Sequence, residues 1–227
     1  MCGRYVAATP TAVLTDWFDV DEVASEPDAP SWNVAPTDPV PVVLATREGR
    51  RRLGVLRWGL VPPWAKDASG AARMINARSE TVLEKPAFRG ALGQRRCLLP
   101  ADGFYEWEKP GRRPWFIHAA DGGPLAMAGL WDVWRGDGMV LRTCTILTTS
   151  ANAVVAPLHE RMPVFLERAD WGTWLDRDNQ DLHCLTGLLR PAGDDRLTCR
   201  RVARTVNSVR NNGPQLVEVV RDQPEPQ

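Results

Sequence analysis

The sequence predicts an α+β protein of one compact domain, built on an antiparallel β-barrel-like core with short helices at its periphery. The main observation is the stretch 95–147, where strand-like runs are separated by regularly spaced turn clusters. The clusters are Lys109-Pro110-Gly111, Asp121-Gly122-Gly123-Pro124 and Arg135-Gly136-Asp137-Gly138. Regular turn spacing of this kind is typical of an antiparallel meander or barrel. The helical patterns are short and lie outside this stretch.

The composition agrees with one soluble domain. The chain has 227 residues, of which 44% are hydrophobic and 25% charged, and we find neither an internal repeat nor an interdomain linker. We therefore predict one domain over 1–220 and a disordered tail over 221–227, where the sequence is polar and rich in proline. No apolar run reaches the length of a membrane span and no signal-peptide core is present, which predicts a cytoplasmic protein without a membrane partner.

The charges and cysteines argue against several classes of protein. The 28 basic and 28 acidic residues balance, which disfavours a globally basic nucleic-acid-binding protein but leaves room for a local basic groove. The five cysteines are widely spaced and include no CxxC pair, so we expect neither a zinc ribbon nor a thioredoxin-type motif. No cluster of histidine, cysteine and aspartate has a metal-ligand spacing, and we expect no metal and no other cofactor.

Before the barrel-like stretch, the sequence predicts a helix, a loop and a hairpin. Thr9-Pro10 has the pattern of an N-cap followed by proline in the first helical position, which predicts a helix ending near Phe18. Two apolar runs, 40–45 and 53–58, flank a glycine-containing loop and predict a β-hairpin. The prolines of 59–65 exclude regular structure there, because they remove backbone donors.

Other short elements surround the predicted core. Further helices are expected just after Ser79 and over 86–92, 151–157, 168–176 and 179–189, and a final strand over 197–206.

Cys2 has the most unusual chemistry available in the chain. Removal of Met1, which a small second residue permits, would leave an N-terminal cysteine, with an α-amine of pKa about 8 beside a thiol of pKa about 8.5. Together these groups trap an aldehyde, because the amine forms a Schiff base and the sulfur then closes a five-membered thiazolidine ring. The alternative is a frayed terminus with an incidental cysteine, and Cys2 taken alone favours that alternative.

Two candidates for proton transfer lie further along the chain. Glu106 lies between aromatic residues on a predicted strand, where desolvation would raise the pKa of its carboxyl and suit it to act as a general acid. Glu108 shares the same period-two face, so position alone does not choose between the two carboxylates. His159 lies beside Arg161 in a loop that Pro163 keeps non-helical, which suits a proton shuttle or a phosphate contact.

Three more residues have a pattern that fits nucleic acid. Asn76 and Arg78 are two apart, so in an extended chain both side chains face the same way and together offer an amide and a guanidinium to a sugar or phosphate oxygen. Trp64 lies in a proline-rich loop and is a candidate stacking platform for a base. The alternatives are an asparagine cap, a surface arginine and a packed core tryptophan.

Cys2, Asn76, Arg78, Glu106 and His159 fall within six short motifs spread along the chain. The motifs are MCGRY (1–5), WNVAP (32–36), WGLVP (58–62), INARSET (75–81), RCLLPADGFYEW (96–107) and HERMP (159–163). Each motif is weak evidence alone, but the probability that all six occur in this order by chance is very small. As a set, the motifs resemble those of the SRAP family, the SOS response-associated peptidase proteins, from Cys2 to about Val220.

The resemblance implies an SRAP-like fold around a β-barrel-like core, with a groove for single-stranded DNA. It implies a protein that senses abasic sites in single-stranded DNA and crosslinks to them. The opened abasic sugar is an aldehyde, which is the electrophile that the N-terminal cysteine captures. A lyase side reaction by β-elimination on the 3′ side is implied as well. So is a peptidase activity, whose minimal form is removal of Met1, self-catalysed or by methionine aminopeptidase.

Carried over position by position, the resemblance gives each candidate a role. Cys2 would be the covalent residue and Asn76 would orient the opened sugar. Glu106 would act as acid and base, and His159 would contact the sugar or transfer a proton. The residues implied to hold the flanking phosphates are Arg4, Arg78 and Arg161. Those implied to line the DNA groove are Pro36, Trp64 and Thr148.

Two other functions stay open at this point. The same Cys2 and the family name also fit an N-terminal-nucleophile hydrolase acting on peptides or amides. The tryptophan and arginine content fits a module that binds single-stranded DNA without covalent chemistry. In all cases we expect a monomer in a bacterial cytoplasm, associated with the nucleoid when it is on DNA.

Overall fold

The computed structural model describes residues 2–136 and 138–220, so the predicted tail over 221–227 lies outside the described residues. The α-helices are α1 (Thr11–Trp17), α2 (Pro86–Gln94), α3 (Trp171–Leu175) and α4 (Leu182–Gly187). The strands are β1 (Tyr5–Ala7), β2 (Glu22–Val23), β3 (Ser31–Val34), β4 (Pro39–Ala45), β5 (Arg51–Trp58), β6 (Asn76–Arg78), β7 (Arg96–Ala101), β8 (Gly103–Glu108), β9 (Arg113–Ala119), β10 (Leu125–Gly136), β11 (Met139–Ser150), β12 (Arg161–Pro163) and β13 (Leu197–Arg201).

Five strands close into a barrel. Antiparallel pairs join β11 to β10, β10 to β7, β7 to β4 and β4 to β5. A parallel pair between β5 and β11, with Cys144 opposite Trp58, closes the ring. The predicted α+β fold with a barrel-like core and peripheral short helices is therefore confirmed, although the closing pair is parallel. No described helix is long and apolar enough to cross a membrane.

A second sheet packs against the barrel and contains the start of the chain. Its strand order is β13-β9-β8-β1-β3, so β1 lies between two neighbours instead of at an edge. Tyr5 pairs with Phe104 of β8 on one side and with Val34 of β3 on the other. Tyr5 also meets Trp58 of the barrel edge to face, with ring centroids 5.1 Å apart. The first residues of the chain are thus part of the core between the two sheets, where Cys2 is fully buried.

The helices cover the other side of the barrel. In α2, Phe88, Ala91 and Leu92 are buried, a spacing that places all three on one helix face. Pro86 stands in the first turn of this helix, where its missing N–H removes no intrahelical bond. Phe18, which follows α1, stacks on Trp171 of α3 with centroids 4.7 Å apart. These contacts join the helices to the barrel in one apolar cluster.

Asn33 ties the start of the chain to its C-terminal segment. Its buried side chain donates from Nδ2 to the carbonyl oxygens of Ser208 and Asn211, at 2.9 and 2.8 Å. Its Oδ1 accepts from Nη1 of Arg4 at 2.7 Å, and the same nitrogen also donates to the carbonyl of Val206 at 3.1 Å. The backbone that leads from Cys2 into β1 is therefore anchored through Arg4.

The structure corrects the boundaries of several predicted elements. Helix α1 begins at Thr11, with Pro10 at the N-cap. Thr9 does not cap it, because the Thr9 hydroxyl donates to the carboxylate of Asp102. The predicted helix after Ser79 is a single 3-10 turn over Ser79–Thr81.

The second half of the chain also differs from the predictions. The helix predicted over 151–157 is wrong: this segment forms turns, in which the Asn152 side chain accepts the N–H of Val155 at 3.1 Å and so replaces a helical bond. The helix predicted over 179–189 is shorter and begins after Asp181, whose carboxylate caps it. The strand predicted over 197–206 ends at Arg201.

We predict that Asn33→Leu lowers the free energy of unfolding by about 3 kcal/mol, because it leaves partly buried carbonyl groups of the C-terminal segment without donors and the Arg4 guanidinium without its acceptor. Urea unfolding measures this loss. Asn207→Leu is the matched control, since Asn207 is exposed and accepts one hydrogen bond, from Trp107. Equal losses in the two variants would show that the Asn33 side chain does not anchor this segment.

Candidate active site

Asn76 holds Cys2 in place. The side-chain Nδ2 of Asn76 donates to the backbone carbonyl of Cys2 at 2.8 Å. Strand β6, which carries Asn76, pairs in parallel with β11, with Asn76 opposite Ile146. The other side-chain atom, Oδ1, is buried and accepts no hydrogen bond from the described part of the chain. Asn76 therefore fixes the backbone at Cys2 and keeps one acceptor available beside it.

Glu106 lies close enough to Cys2 for its charge to act on the pKa of the Cys2 thiol. Strand β8 runs alongside the first residues, and the N–H of Tyr105 donates to the carbonyl of Arg4 at 3.0 Å. Burial raises the pKa of the Cys2 thiol, and the charge of Glu106 raises this pKa further. Burial also raises the pKa of Glu106, which is 4% exposed. The site thus favours a neutral thiol and an acid that keeps its proton to a higher pH than usual.

His159 is held in one tautomer. Its Nδ1 accepts the backbone N–H of Arg161 at 2.9 Å, so in the neutral ring the proton is on Nε2. Partial burial lowers the pKa of His159, and the positive charge of Lys109 lowers it further. Lys109 also lowers the pKa of Glu106, against the larger effect of burial. His159 and Glu106 are therefore within the field of one lysine, and His159 is a neutral donor at neutral pH.

Arg161 forms a two-pronged ion pair beside these residues. Its Nη1 and Nη2 donate to the two carboxylate oxygens of Glu80 at 2.6 and 2.8 Å. Its Nη2 also donates to the backbone carbonyl of Thr148 at 2.7 Å. Thr148 is fully buried and pairs with Arg78 of β6. Thr148 thus lies behind Arg161, while the Arg78 side chain is exposed.

The other candidates for DNA contact occupy different environments. Arg4 is half-buried, with its guanidinium on Asn33 and over the ring of Trp107, 5.9 Å from the centroid, and burial lowers its pKa. Trp64 is 61% exposed, in the irregular segment between β5 and β6. Pro36 is partly buried in the loop between β3 and β4. The structure therefore brings Cys2 together with Asn76 and Glu106, and it holds Arg4, two residues from Cys2, on Asn33.

Two charged residues at the site have no role in the interpretation of the sequence. Glu80 lies inside the INARSET motif, but the sequence gives no sign of its partner, because Arg161 is 81 residues away. Lys109 stands in the turn between β8 and β9, where the sequence indicates only a break in structure. Its proximity to Glu106 follows from the hairpin itself, since Glu106 is three residues before it on β8.

The two tyrosines differ in one respect. Both are fully buried. The hydroxyl of Tyr105 donates to the carbonyl of Trp32 at 2.8 Å. The hydroxyl of Tyr5, in the same core as Cys2, meets no hydrogen-bond partner in the described part of the chain. An unsatisfied buried hydroxyl lowers stability, so the core beneath Cys2 is less stable than its packing alone would allow.

Comparison with known proteins identifies a matching family. The family model described as SOS response associated peptidase (SRAP) matches residues 1–209. The abasic site processing protein YoqW of Bacillus subtilis is 40% identical over 223 residues, covering 96% of this chain and 99% of that protein. The abasic site processing protein HMCES of Pongo abelii is 30% identical over 277 residues, covering 97% of this chain and 76% of that protein.

Solved structures share the fold. A protein from Bacteroides thetaiotaomicron superposes with a TM-score of 0.84 at 23% identity, covering 96% of this chain and all of that chain. A protein from Bordetella bronchiseptica superposes with a TM-score of 0.75 at 27% identity, covering 89% of this chain and all of that chain. The arrangement of sheets and helices is therefore shared with both proteins.

We predict opposite effects on stability for the two tyrosine substitutions. Tyr5→Phe should raise the free energy of unfolding by about 1 kcal/mol, because it removes an unsatisfied buried hydroxyl. Tyr105→Phe should lower it by about 1 kcal/mol, because it leaves the carbonyl of Trp32 without its donor. Urea unfolding of both variants tests this, and a loss of stability in Tyr5→Phe would show that the Tyr5 hydroxyl is hydrogen-bonded in solution.

Proposed function

This chain belongs to the SOS response associated peptidase family, and from that membership we propose that it senses abasic sites in single-stranded DNA and captures them covalently through Cys2. Relatives over nearly its whole length are named abasic site processing proteins. The observation that carries the proposal is the buried Cys2, held by Asn76 at 2.8 Å beside Glu106. A terminus fixed in this way is suited to present its amine and its thiol to one carbon atom.

The proposed reaction begins with the loss of Met1, because an acylated nitrogen does not form an imine. The Cys2 amine then attacks the aldehyde carbon of the opened abasic sugar and gives an imine with release of one water. The Cys2 sulfur adds to the imine carbon, and its proton goes to the nitrogen. The product is a thiazolidine ring that joins the protein to the DNA.

The raised pKa of the thiol agrees with this order of steps. Burial keeps the Cys2 sulfur protonated, so it is a poor nucleophile until the imine provides a reactive carbon beside it. The same property disfavours the N-terminal-nucleophile hydrolase, whose first step needs an activated sulfur. Self-catalysed removal of Met1 is the peptidase activity that we propose for the chain, and a methionine aminopeptidase is the alternative route to the same free Cys2.

Glu106 and His159 have separate roles in the proposal. Glu106 donates a proton for opening of the sugar ring and for loss of water at the imine, and its raised pKa lets it keep that proton to a higher pH than an exposed glutamate would. The unused Oδ1 of Asn76 accepts a hydroxyl of the opened sugar. His159, neutral and protonated on Nε2, donates to the sugar or moves a proton, and β-elimination on the 3′ side is the proposed lyase side reaction.

The DNA strand would follow the basic residues around Cys2. Arg78 and Arg161 would hold phosphates, and Arg4 would do so while keeping its bond to Asn33. The exposed Trp64 would stack on a base, with Pro36 and Thr148 shaping the groove. We propose that the protein acts as a monomer in the bacterial cytoplasm, on the nucleoid when it is bound to DNA.

We predict that single-stranded DNA with one abasic site gives a covalent band with the wild-type protein on a denaturing gel, and that Cys2→Ala abolishes this band. Cys184→Ala is the matched control, because Cys184 is an exposed free cysteine far along the chain. An equal band from Cys2→Ala would overturn the covalent proposal and leave non-covalent binding. Turnover of a panel of peptides beyond Met1 removal would instead support the hydrolase.

We also predict that Glu106→Gln slows crosslinking by about 100-fold, the lower range of general acid catalysis. Because burial raises the pKa of Glu106, the protonated acid is lost as pH rises through that raised pKa, and the wild-type rate should fall with it. Single-turnover rates across pH should show this fall in the wild type and in Glu108→Gln, but not in Glu106→Gln. The reverse pattern would make Glu108 the acid.

A further inference from the structure

The ion pair between Arg161 and Glu80 joins groups of very different exposure. The side chain of Arg161 is 12% exposed and that of Glu80 is 51% exposed. Both terminal nitrogens of Arg161 are used on the carboxylate, one for each oxygen, in the forked geometry that arginine also adopts with phosphate. The carboxylate of Glu80 thus occupies the position on Arg161 where a phosphate would bind.

The remaining donors of Arg161 offer little to a second anion. Its Nη2 also donates to the carbonyl of Thr148 at 2.7 Å. Its Nε is buried and has no hydrogen-bond partner among the described residues. A guanidinium has five N–H groups. Three of them donate to Glu80 and Thr148 and the one on Nε is buried, so a single N–H, on Nη1, is left for a second anion. A DNA phosphate cannot form a two-pronged contact with Arg161 while Glu80 stays in place.

The pair lies at the edge of an open depression next to the candidate active site. The depression has a volume of about 380 Å³ and is lined by Arg78, Glu80, Thr81, Glu160 and Arg161. One of its lining residues, Arg78 of β6, is two residues from Asn76 on the same strand. Whatever occupies this depression is therefore adjacent to the residue that holds Cys2.

We propose that this depression is a phosphodiester subsite whose resident anion is Glu80, and that single-stranded DNA enters it by displacing the Glu80 carboxylate from Arg161. The inference rests on the proposed function for the identity of the anion. Two anions on one guanidinium repel each other, so exchange is favoured over sharing. The half-exposed Glu80 is able to turn into solvent, while Arg161 stays anchored on Thr148.

Exchange has a consequence for selectivity. Replacing one charge-assisted ion pair by another gives a small net gain, so Glu80 weakens the hold on every strand, damaged or intact. Intact strands then dissociate readily, whereas an abasic strand is retained by the covalent bond at Cys2. Glu80 is in this sense a specificity-determining residue that acts through Arg161.

The test is equilibrium binding of an undamaged, fluorescently labelled single strand to Glu80→Gln, with Glu160→Gln as the matched control. Glu160 lines the same depression, and its charge is removed by the same change. We expect Glu80→Gln to bind roughly tenfold more tightly than wild type. The slope of log K against log[salt] should steepen by up to about 0.7, the value for one phosphate contact on a single strand, because in the wild type the freed Glu80 carboxylate takes up a cation and offsets that contact. Glu160→Gln should change log K by less than half of the change that Glu80→Gln causes.

A double-mutant cycle with Arg161→Ala separates this role from a general charge effect. In the Arg161→Ala background, Glu80→Gln should no longer tighten binding. Urea unfolding of each variant checks that the substitution leaves the fold intact. The same binding measurements on Glu80→Ala provide a second substitution at this position. Unchanged or weaker binding by both Glu80 variants would overturn the subsite.

The crosslinking gel distinguishes a failure of the proposed subsite from a failure of the proposed covalent function. If the wild type forms the covalent band but Glu80→Gln does not tighten binding, the exchange at Arg161 is wrong and the covalent function stands. If Glu80→Gln tightens binding but no band forms, the subsite stands and the covalent function is wrong. Absence of any binding of single-stranded DNA by wild type and Glu80→Gln would overturn the subsite.

Discussion

Pairing of β1 on both of its edges is the constraint on which the rest of the site depends. The first residues of a chain normally fray, because few contacts hold them. Here Tyr5 pairs with Phe104 and with Val34, and Asn76 holds the carbonyl of Cys2. A reactive group at a mobile terminus would lose most of the advantage of orientation. Because β1 is an interior strand, Cys2 has a fixed position relative to Glu106.

The sequence predicts the hairpins of the barrel well because their signals are local. The turn cluster over 135–138 and the glycine-containing loop between β4 and β5 define two of the five strand pairs of the ring, β10 with β11 and β4 with β5. The parallel pair of β5 with β11 joins residues more than 80 positions apart, and no local pattern marks it. The helix predicted over 151–157 fails for a local reason instead: Asn152 forms a side-chain turn that competes with the helix.

The candidate site shows the same division between local and distant information. Cys2, Asn76, Glu106 and His159 are identified from their residue types and motifs, and a raised pKa for Glu106 is expected from its aromatic neighbours on β8. The pairing of Arg161 with Glu80 depends on how β6 and β12 flank β11, which the sequence does not contain. The inward position of Arg4 likewise depends on Asn33 and on a segment near the end of the chain.

The electrostatics of the site differ from those of the whole protein. The net charge is zero, so long-range attraction does not concentrate DNA on this surface. What the site offers instead is local: a buried acid with a raised pKa, a neutral histidine of defined tautomer and a buried thiol that resists ionisation. A thiol of this kind is a weak nucleophile alone. In the proposed reaction it becomes effective because the neighbouring amine has already captured the electrophile, and release of the Cys2 nitrogen from Met1 is then the step that would activate the site.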